Sequence, residues 1–193
     1  MSASLRIEVA VETWPIAGEF VIARGAKREA TVVIAHISDG TTAGRGECVP
    51  YARYDETVDS VRGAILAQTN LADRTALLHQ MPAGAARNAL DCALWDYEAK
   101  RSGSGAAALA GLHHLDTLTT AYTISLDSPV NMARKAAHAA LTMPLLKIKL
   151  GGEGDADRMR QIRTACPRAR LIADANEAWT PALLPELMAA AAE

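Results

Sequence analysis

Aromatic side chains make up only 4% of the 193 residues, with a single phenylalanine. With so few large rings and abundant alanine, the composition favours helices packed closely on a sheet. The three cysteines, Cys48, Cys92 and Cys166, are odd in number and far apart. They form no C-x-x-C unit, which leaves zinc and redox motifs unsupported. Reduced, mostly buried thiols are the expectation. No stretch reaches the roughly 18 apolar residues of a membrane span. The first residues, Met1 to Arg6, lack a basic region followed by an apolar run, so no signal peptide is expected. Net charge is −2, and nothing argues for a nucleic-acid or membrane partner. What remains is an ordinary globular composition, half of it apolar, expected in the cytoplasm and large enough for a sizeable core.

Several β-rich segments come first. Leu5 to Val11, Glu19 to Arg24, Thr31 to Ser38 and Gly44 to Val49 read as strands, and the turn signal Ser38-Asp39-Gly40-Thr41-Thr42 separates the last two. An antiparallel meander is expected. Helices follow. Asp55 is the expected cap of one reaching about Gln68, Asp73 to His79 is a shorter one, and Ser104 to Leu112 is alanine-rich. Gly84 to Lys100 is the clearest, with Ala86, Leu90, Ala93, Leu94 and Tyr97 in one apolar stripe and Gly103 near its end.

From Thr117 the pattern alternates. Thr120 to Leu126, Leu145 to Leu150 and Arg170 to Ala175 read as strands. Helices are expected from Ser128-Pro129, over Asp155 to Ala165, and from Thr180-Pro181, where the cap-and-proline pattern repeats. Such a β-α series builds a parallel sheet covered on both faces. No low-complexity linker and no repeat beyond this alternation stands out.

Strand side chains alternate with period two. Leu146, Ile148 and Leu150 therefore share one face, and Lys147 and Lys149 share the other. Lysines can guard an exposed sheet edge, but the β-α series argues for a covered strand whose second face is a barrel interior. Catalytic groups sit at strand C-termini there. The same alternation puts Thr123 on the first strand and Asp174 and Asn176 on the third onto the lysine face. Five polar groups converge.

A lysine acts as a base only if its pKa falls from about 10.4 toward neutrality. Partial burial and a neighbouring positive charge both push it down, so Lys147 beside Lys149 reads as a proton-transfer pair. Asp174 at a strand end suits a hard cation such as Mg²⁺, though a lone strand-end aspartate also serves as a helix cap or ion-pair partner. With the lysines it reads as a metal ligand. An ion clamping a substrate carboxylate would stabilise the enediolate formed on removing the adjacent proton.

The lysine pair, the strand ending Ile172-Ala173-Asp174-Ala175-Asn176 and the meander-plus-helices start resemble the enolase superfamily, muconate-lactonizing subgroup. Three runs are similar to the L-Ala-D/L-Glu dipeptide epimerases in particular: Phe20 to Gly25, Gly46 to Tyr54 and Pro82 to Asp96. The resemblance implies an α+β capping domain over residues 1–117, a three-strand meander plus helices. It implies the first three β/α units of a (β/α)₈ TIM-type barrel over 118–193. It makes Lys149 the acid/base at the substrate α-carbon, and Lys147 its tuner and a contact to the substrate carboxylate. It makes Asp174 a Mg²⁺ ligand. Thr123, Arg24, Tyr51, Arg53 and Asn176 become substrate-binding residues, with Arg24 pairing the glutamate side chain.

The implied function is 1,1-proton transfer at the C-terminal residue of a murein-type dipeptide. Alternatives on the same scaffold are N-acylamino-acid racemisation, cycloisomerisation and dehydration. A full barrel needs about 250 residues, so two further acidic ligands and an opposite-face lysine have no place between Leu118 and Glu193. The chain is expected to be the N-terminal part of such an enzyme, inactive by itself. Its expected partners are the dipeptide and either a second copy or a complementary chain supplying the rest of the barrel.

Overall fold

The computed structural model describes residues 5–69, 71, 73–112 and 114–193. Its contacts divide it into two compact units. One comprises Met1–Pro15 and Glu29–Asp116, the other Ile16–Arg28 and Thr117–Glu193.

The first sheet has the order β1-β2-β3, built from β1 (Arg6–Ile22), β2 (Gly25–Ser38) and β3 (Ala43–Cys48). The two strands expected over 5–11 and 19–24 are thus one. Pro15 is tolerated inside this strand because β1 lies at the sheet edge, where a residue without an N–H is accommodated. The Ser38 to Thr42 turn forms as expected. Asp39 accepts hydrogen bonds from the Thr41 and Thr42 backbone N–H groups at 2.9 and 2.8 Å, and from the Tyr97 hydroxyl at 2.8 Å. These donors, led by the Thr42 and Thr41 amides, hold its carboxyl well below the usual carboxylate range.

Helices α1 (Val58–Leu66), α2 (Arg74–Gln80), α3 (Ala85–Ser102) and α4 (Ala106–Leu109) follow. Asp55 is not the cap of α1. Thr57 is, in a reciprocal capping box with Ser60, while Asp55 closes a 3₁₀ turn over Ala52–Tyr54 in the left-handed conformation. Asp73 caps α2, and Gly103 ends α3 with positive φ. The first core joins Val33, Ala35 and Ile37 of β2 to Ala89, Leu90, Ala93 and Leu94 of α3.

Strand β3 meets α3 backbone to backbone. A Cβ at Gly46 would overlap Ala89 O and Ala93 N, and one at Gly44 would overlap Ala93 O and Tyr97 N. Neither neighbour can yield without moving the helix. Gly46→Ala is therefore expected to destabilise this unit by at least about 1–3 kcal/mol, read as a lowered midpoint of urea unfolding. An unchanged midpoint would show that the contact is loose.

The second unit holds β4 (Tyr122–Ile124), α5 (Pro129–Ala139), β5 (Leu145–Lys149), α6 (Asp155–Ala165), β6 (Arg170–Asp174) and α7 (Leu184–Ala192). The strands are parallel in the order β4-β5-β6. Ile124, Leu146, Ile148 and Leu150 turn one face onto Met132, Ala136, Met159 and Ile162 of the covering helices. This is the expected α+β unit followed by the opening β/α units of a (β/α)₈-type barrel. Ser128 caps α5 as predicted. Thr180-Pro181 does not start α7. The Thr180 carbonyl accepts the Leu183 and Leu184 N–H groups in a turn, and Pro185 occupies the first helical turn instead. The chain's cysteines are free thiols, with Cys48 and Cys166 buried and Cys92 exposed. Among the described residues no helix is long and apolar enough to cross a membrane.

Candidate active site

Parallel pairing sets the lysine face in rows. Thr123 pairs with Lys147, which pairs with Ile172, and Lys149 pairs with Asp174. The two ammonium groups converge on one oxygen. Asp174 Oδ2 accepts from Lys149 Nζ at 2.7 Å and from Lys147 Nζ at 2.8 Å. The like charges that make a K-x-K strand costly are offset by this shared carboxylate. The hydrogen bonds from Lys147 and then Lys149 hold the Asp174 carboxyl far below its ordinary range.

Lys149 is only 7% exposed. Its ammonium lies 5.8 Å from the centroid of the Phe20 ring on β1, close enough for a cation–π contact. The Phe20 to Leu126 region is tied together by the Leu126 N–H, which donates to Val21 O. Phe20 was not among the expected site residues. Its signal was being the chain's only phenylalanine.

Strand β6 ends at Asp174, so alternation does not place Asn176. A turn does: Asn176 has φ 48° and Glu177 φ 68°, and the Asn176 N–H donates to Asp174 Oδ1 at 3.0 Å. The side-chain Oδ1 of Asn176 is buried without a hydrogen-bond partner. Such an atom carries a desolvation cost unless something completes it. A hard cation held chiefly by the Asp174 carboxylate could do so, because such ions take oxygen donors and need at least one that is charged. Among the described residues no group of three acidic, histidine or cysteine side chains is assembled for a metal. The chain therefore offers one corner of such a site.

Arg24 lies in the β1–β2 turn. Its Nη1 stands 3.2 Å from Glu177 Oε2, so this guanidinium already holds a carboxylate. The sequence gives no sign of this pairing, since only the fold brings Glu177 to Arg24. Tyr51 and Arg53 belong to the first unit, at the 3₁₀ turn Ala52–Tyr54. The Tyr51 N–H donates to Glu56 Oε2 at 3.1 Å, and Glu56 Oε1 accepts the first amide of α3 at 2.6 Å.

Residues 4–111 match the family described as mandelate racemase / muconate lactonizing enzyme, N-terminal domain. Over 178 residues the chain is 43% identical to the L-Ala-D/L-Glu epimerase of Escherichia coli (strain K12), a match covering 90% of this chain and 56% of that enzyme. Among solved structures, an enolase family member from Agrobacterium tumefaciens with homology to dipeptide epimerases superposes with a TM-score of 0.93 at 44% identity. That match covers 97% of this chain and 59% of the other, which holds sodium and L-Ala-L-Glu. A dipeptide epimerase from Enterococcus faecalis V583, complexed with Mg and L-Leu-L-Tyr, gives a TM-score of 0.87 at 27% identity, covering 98% of this chain and 58% of that one. The chain thus spans little more than half the length of these relatives.

Proposed function

The chain belongs to the mandelate racemase / muconate lactonizing enzyme family, and on that premise we propose that the protein is a Mg²⁺-dependent dipeptide epimerase of the L-Ala-D/L-Glu type. The observation that carries this reading is the pair of lysines two residues apart on one strand face sharing Asp174. Lys149, the more enclosed, is the acid/base on one face of the α-carbon of the C-terminal residue: it takes the proton from one epimer while a lysine on the opposite face delivers one to the other side, which inverts the centre. Lys147 keeps a positive charge beside the substrate carboxylate. Thr123, one strand over, contacts substrate from the same face. Asp174 would hold Mg²⁺, and Asn176, whose backbone N–H binds Asp174 Oδ1 and whose own Oδ1 is buried without a partner, would contact substrate. Once bound, the ion supplies Lewis-acid stabilisation of charge developing on the substrate carboxylate. The remaining acidic ligands and a lysine for the opposite face come from the rest of a full barrel, on the same or a complementary chain.

Arg24 sets substrate class. It already binds a carboxylate, that of Glu177, and a glutamate side chain offers the same group. Tyr51 and Arg53, at the 3₁₀ turn of the first unit, are further substrate contacts in this reading. The E. coli relative and the L-Ala-L-Glu bound by the Agrobacterium protein support an acidic C-terminal residue, which fits a role with murein peptides in the cytoplasm.

The test is solvent deuterium exchange. The complete protein with Mg²⁺, given L-Ala-D-Glu in D₂O, should place deuterium at the glutamate α-carbon and form the L-Ala-L-Glu epimer. A complete barrel that exchanges nothing there sinks the proposal. Arg24→Ala is expected to lower kcat/KM on L-Ala-D-Glu by about 10–100-fold while leaving dipeptides with a neutral C-terminal residue nearly unaffected. An equal loss on both classes would remove Arg24 as the selector and favour another reaction of the scaffold.

A further inference from the structure

Beside the lysine face lies a charged group that the functional reading does not use. Asp155, the first residue of α6, is fully buried. Burying a carboxylate is costly unless its oxygens are satisfied, and these are. Gly151 N–H reaches both oxygens at 3.1 and 3.0 Å, and Gly152 N–H reaches Oδ2 at 2.7 Å. Arg158 Nη1 donates to Oδ1 at 3.0 Å. The indole N–H of Trp179 donates to Oδ2 at 2.8 Å.

The donors come from different places in the chain. Gly151 and Gly152 lie just past β5, two and three residues beyond Lys149. Trp179 lies in the segment after β6, beyond Asp174 and the left-handed pair Asn176 and Glu177. Arg158 extends the network to the third strand end, since its Nε donates to the carbonyl of Asp127 after β4 at 3.0 Å. The loops leaving all three strands are therefore gathered on one aspartate–arginine pair. Gly152 has φ 109°, and a Cβ there would come within van der Waals reach of Ala178 O in the Trp179 loop, so the two loops run close together. Between them, the Leu150 N–H donates to Asp174 O at 3.0 Å.

We propose that Asp155 is a positioning residue that clamps the loop after the lysine strand to the loop after the aspartate strand, fixing Lys149 against Asp174. A carboxylate that only started a helix would bind the nearby amides and gain from the helix dipole. It would have no use for an indole brought from another loop. The Trp179 arm marks the clamp. Its consequence for turnover rests on the functional reading above; its consequence for the backbone does not.

Two variants of the complete protein test it. Trp179→Phe keeps a ring in the core and removes one donor, leaving the Gly151, Gly152 and Arg158 bonds in place. Asp155→Asn removes the charge at the centre. Hydrogen exchange is followed in the absence of metal and substrate. In Trp179→Phe the Leu150 amide is expected to exchange about 10-fold faster, while amides within α6 keep their protection. On L-Ala-D-Glu with Mg²⁺, kcat is expected to fall by about 10–100-fold with KM within about 2-fold. Asp155→Asn should reproduce the Leu150 effect more strongly. Unchanged Leu150 exchange in Trp179→Phe, or acceleration spread evenly over the unit, overturns the clamp. Faster Leu150 exchange in a protein whose parent never labels the α-carbon upholds the clamp and rejects the epimerase reading. Labelling by the parent with Leu150 unaffected does the reverse.

Discussion

Lys149→Met is expected to slow epimerisation, read as α-carbon deuterium exchange with inversion, by the complete protein by about 10²–10⁴-fold, the usual contribution of a positioned general base, while barely changing the melting temperature. Methionine keeps the unbranched apolar stem that fills this buried position. The ammonium it removes is one of two on Asp174 Oδ2, and Lys147 remains there at 2.8 Å. No buried carboxylate is left unpaired, which is the event that makes most buried ion-pair deletions destabilising. Lys149→Arg separates charge from proton transfer. A guanidinium can pair with Asp174 but stays protonated, so it should restore the ion pair and not the exchange. Mass spectrometry of labelled dipeptide and a thermal melt on each variant decide the matter. Exchange above about a tenth of the parent rate in Lys149→Met, far less than a base's contribution, would move the base elsewhere.

What the sequence made legible follows from how local each signal is. Strand alternation is a property of a few consecutive residues, so Thr123, Lys147, Lys149 and Asp174 could be put on one face before any fold was known. The parallel register then set them in neighbouring rows. Asn176 escaped that rule because β6 stops at Asp174 and a left-handed turn takes over. Arg24 with Glu177, and Trp179 with Asp155, are contacts between distant segments that no periodicity announces. Asp155 looked like the start of a helix, which it is; its burial and its reach to another loop are tertiary facts. Local signals also misled. The β-rich stretches over 5–11 and 19–24 read as two strands in what is one edge strand, and Thr180-Pro181 resembled a helix start that Pro185 provides.

The runs that carried the resemblance acquire a physical cause in the fold. Gly46 opens one of them and Ala89 and Ala93 lie in another, and these are the two sides of the contact where β3 and α3 meet without room for a Cβ. Glu56, just past the second run, ties the Tyr51 backbone to the start of α3. The matched segments are therefore the scaffold on which Tyr51 and Arg53 are held. Their agreement with the family speaks first to how the loop is supported and then to what it contacts.

Asp174→Asn removes the group on which both lysines and the proposed ion depend, and two measurements should show it. In calorimetric titration of the complete protein with Mg²⁺, the binding heat is expected to disappear, because an amide offers one neutral oxygen where a hard cation needs a charged one. Stability should change with a definite sign. The folded-state pKa of Asp174 is depressed, first by Lys147 and next by Lys149. Its stabilising contribution is thus fully present above the unfolded value of about 3.9 and is lost as pH falls through the folded value. Asn cannot titrate, and it leaves Lys147 and the buried Lys149 repelling each other without a counter-charge. The variant should therefore melt below the parent at neutral pH, and the two curves should converge in strong acid, where the parent's carboxyl is also neutral. A gap that widens on acidification would mean that Asp174 strains the fold. Parent-like Mg²⁺ heat would put the ion on other oxygens. Convergence together with lost heat would make this one carboxylate both the counter-ion that lets two lysines share a strand face and the first anchor of the metal.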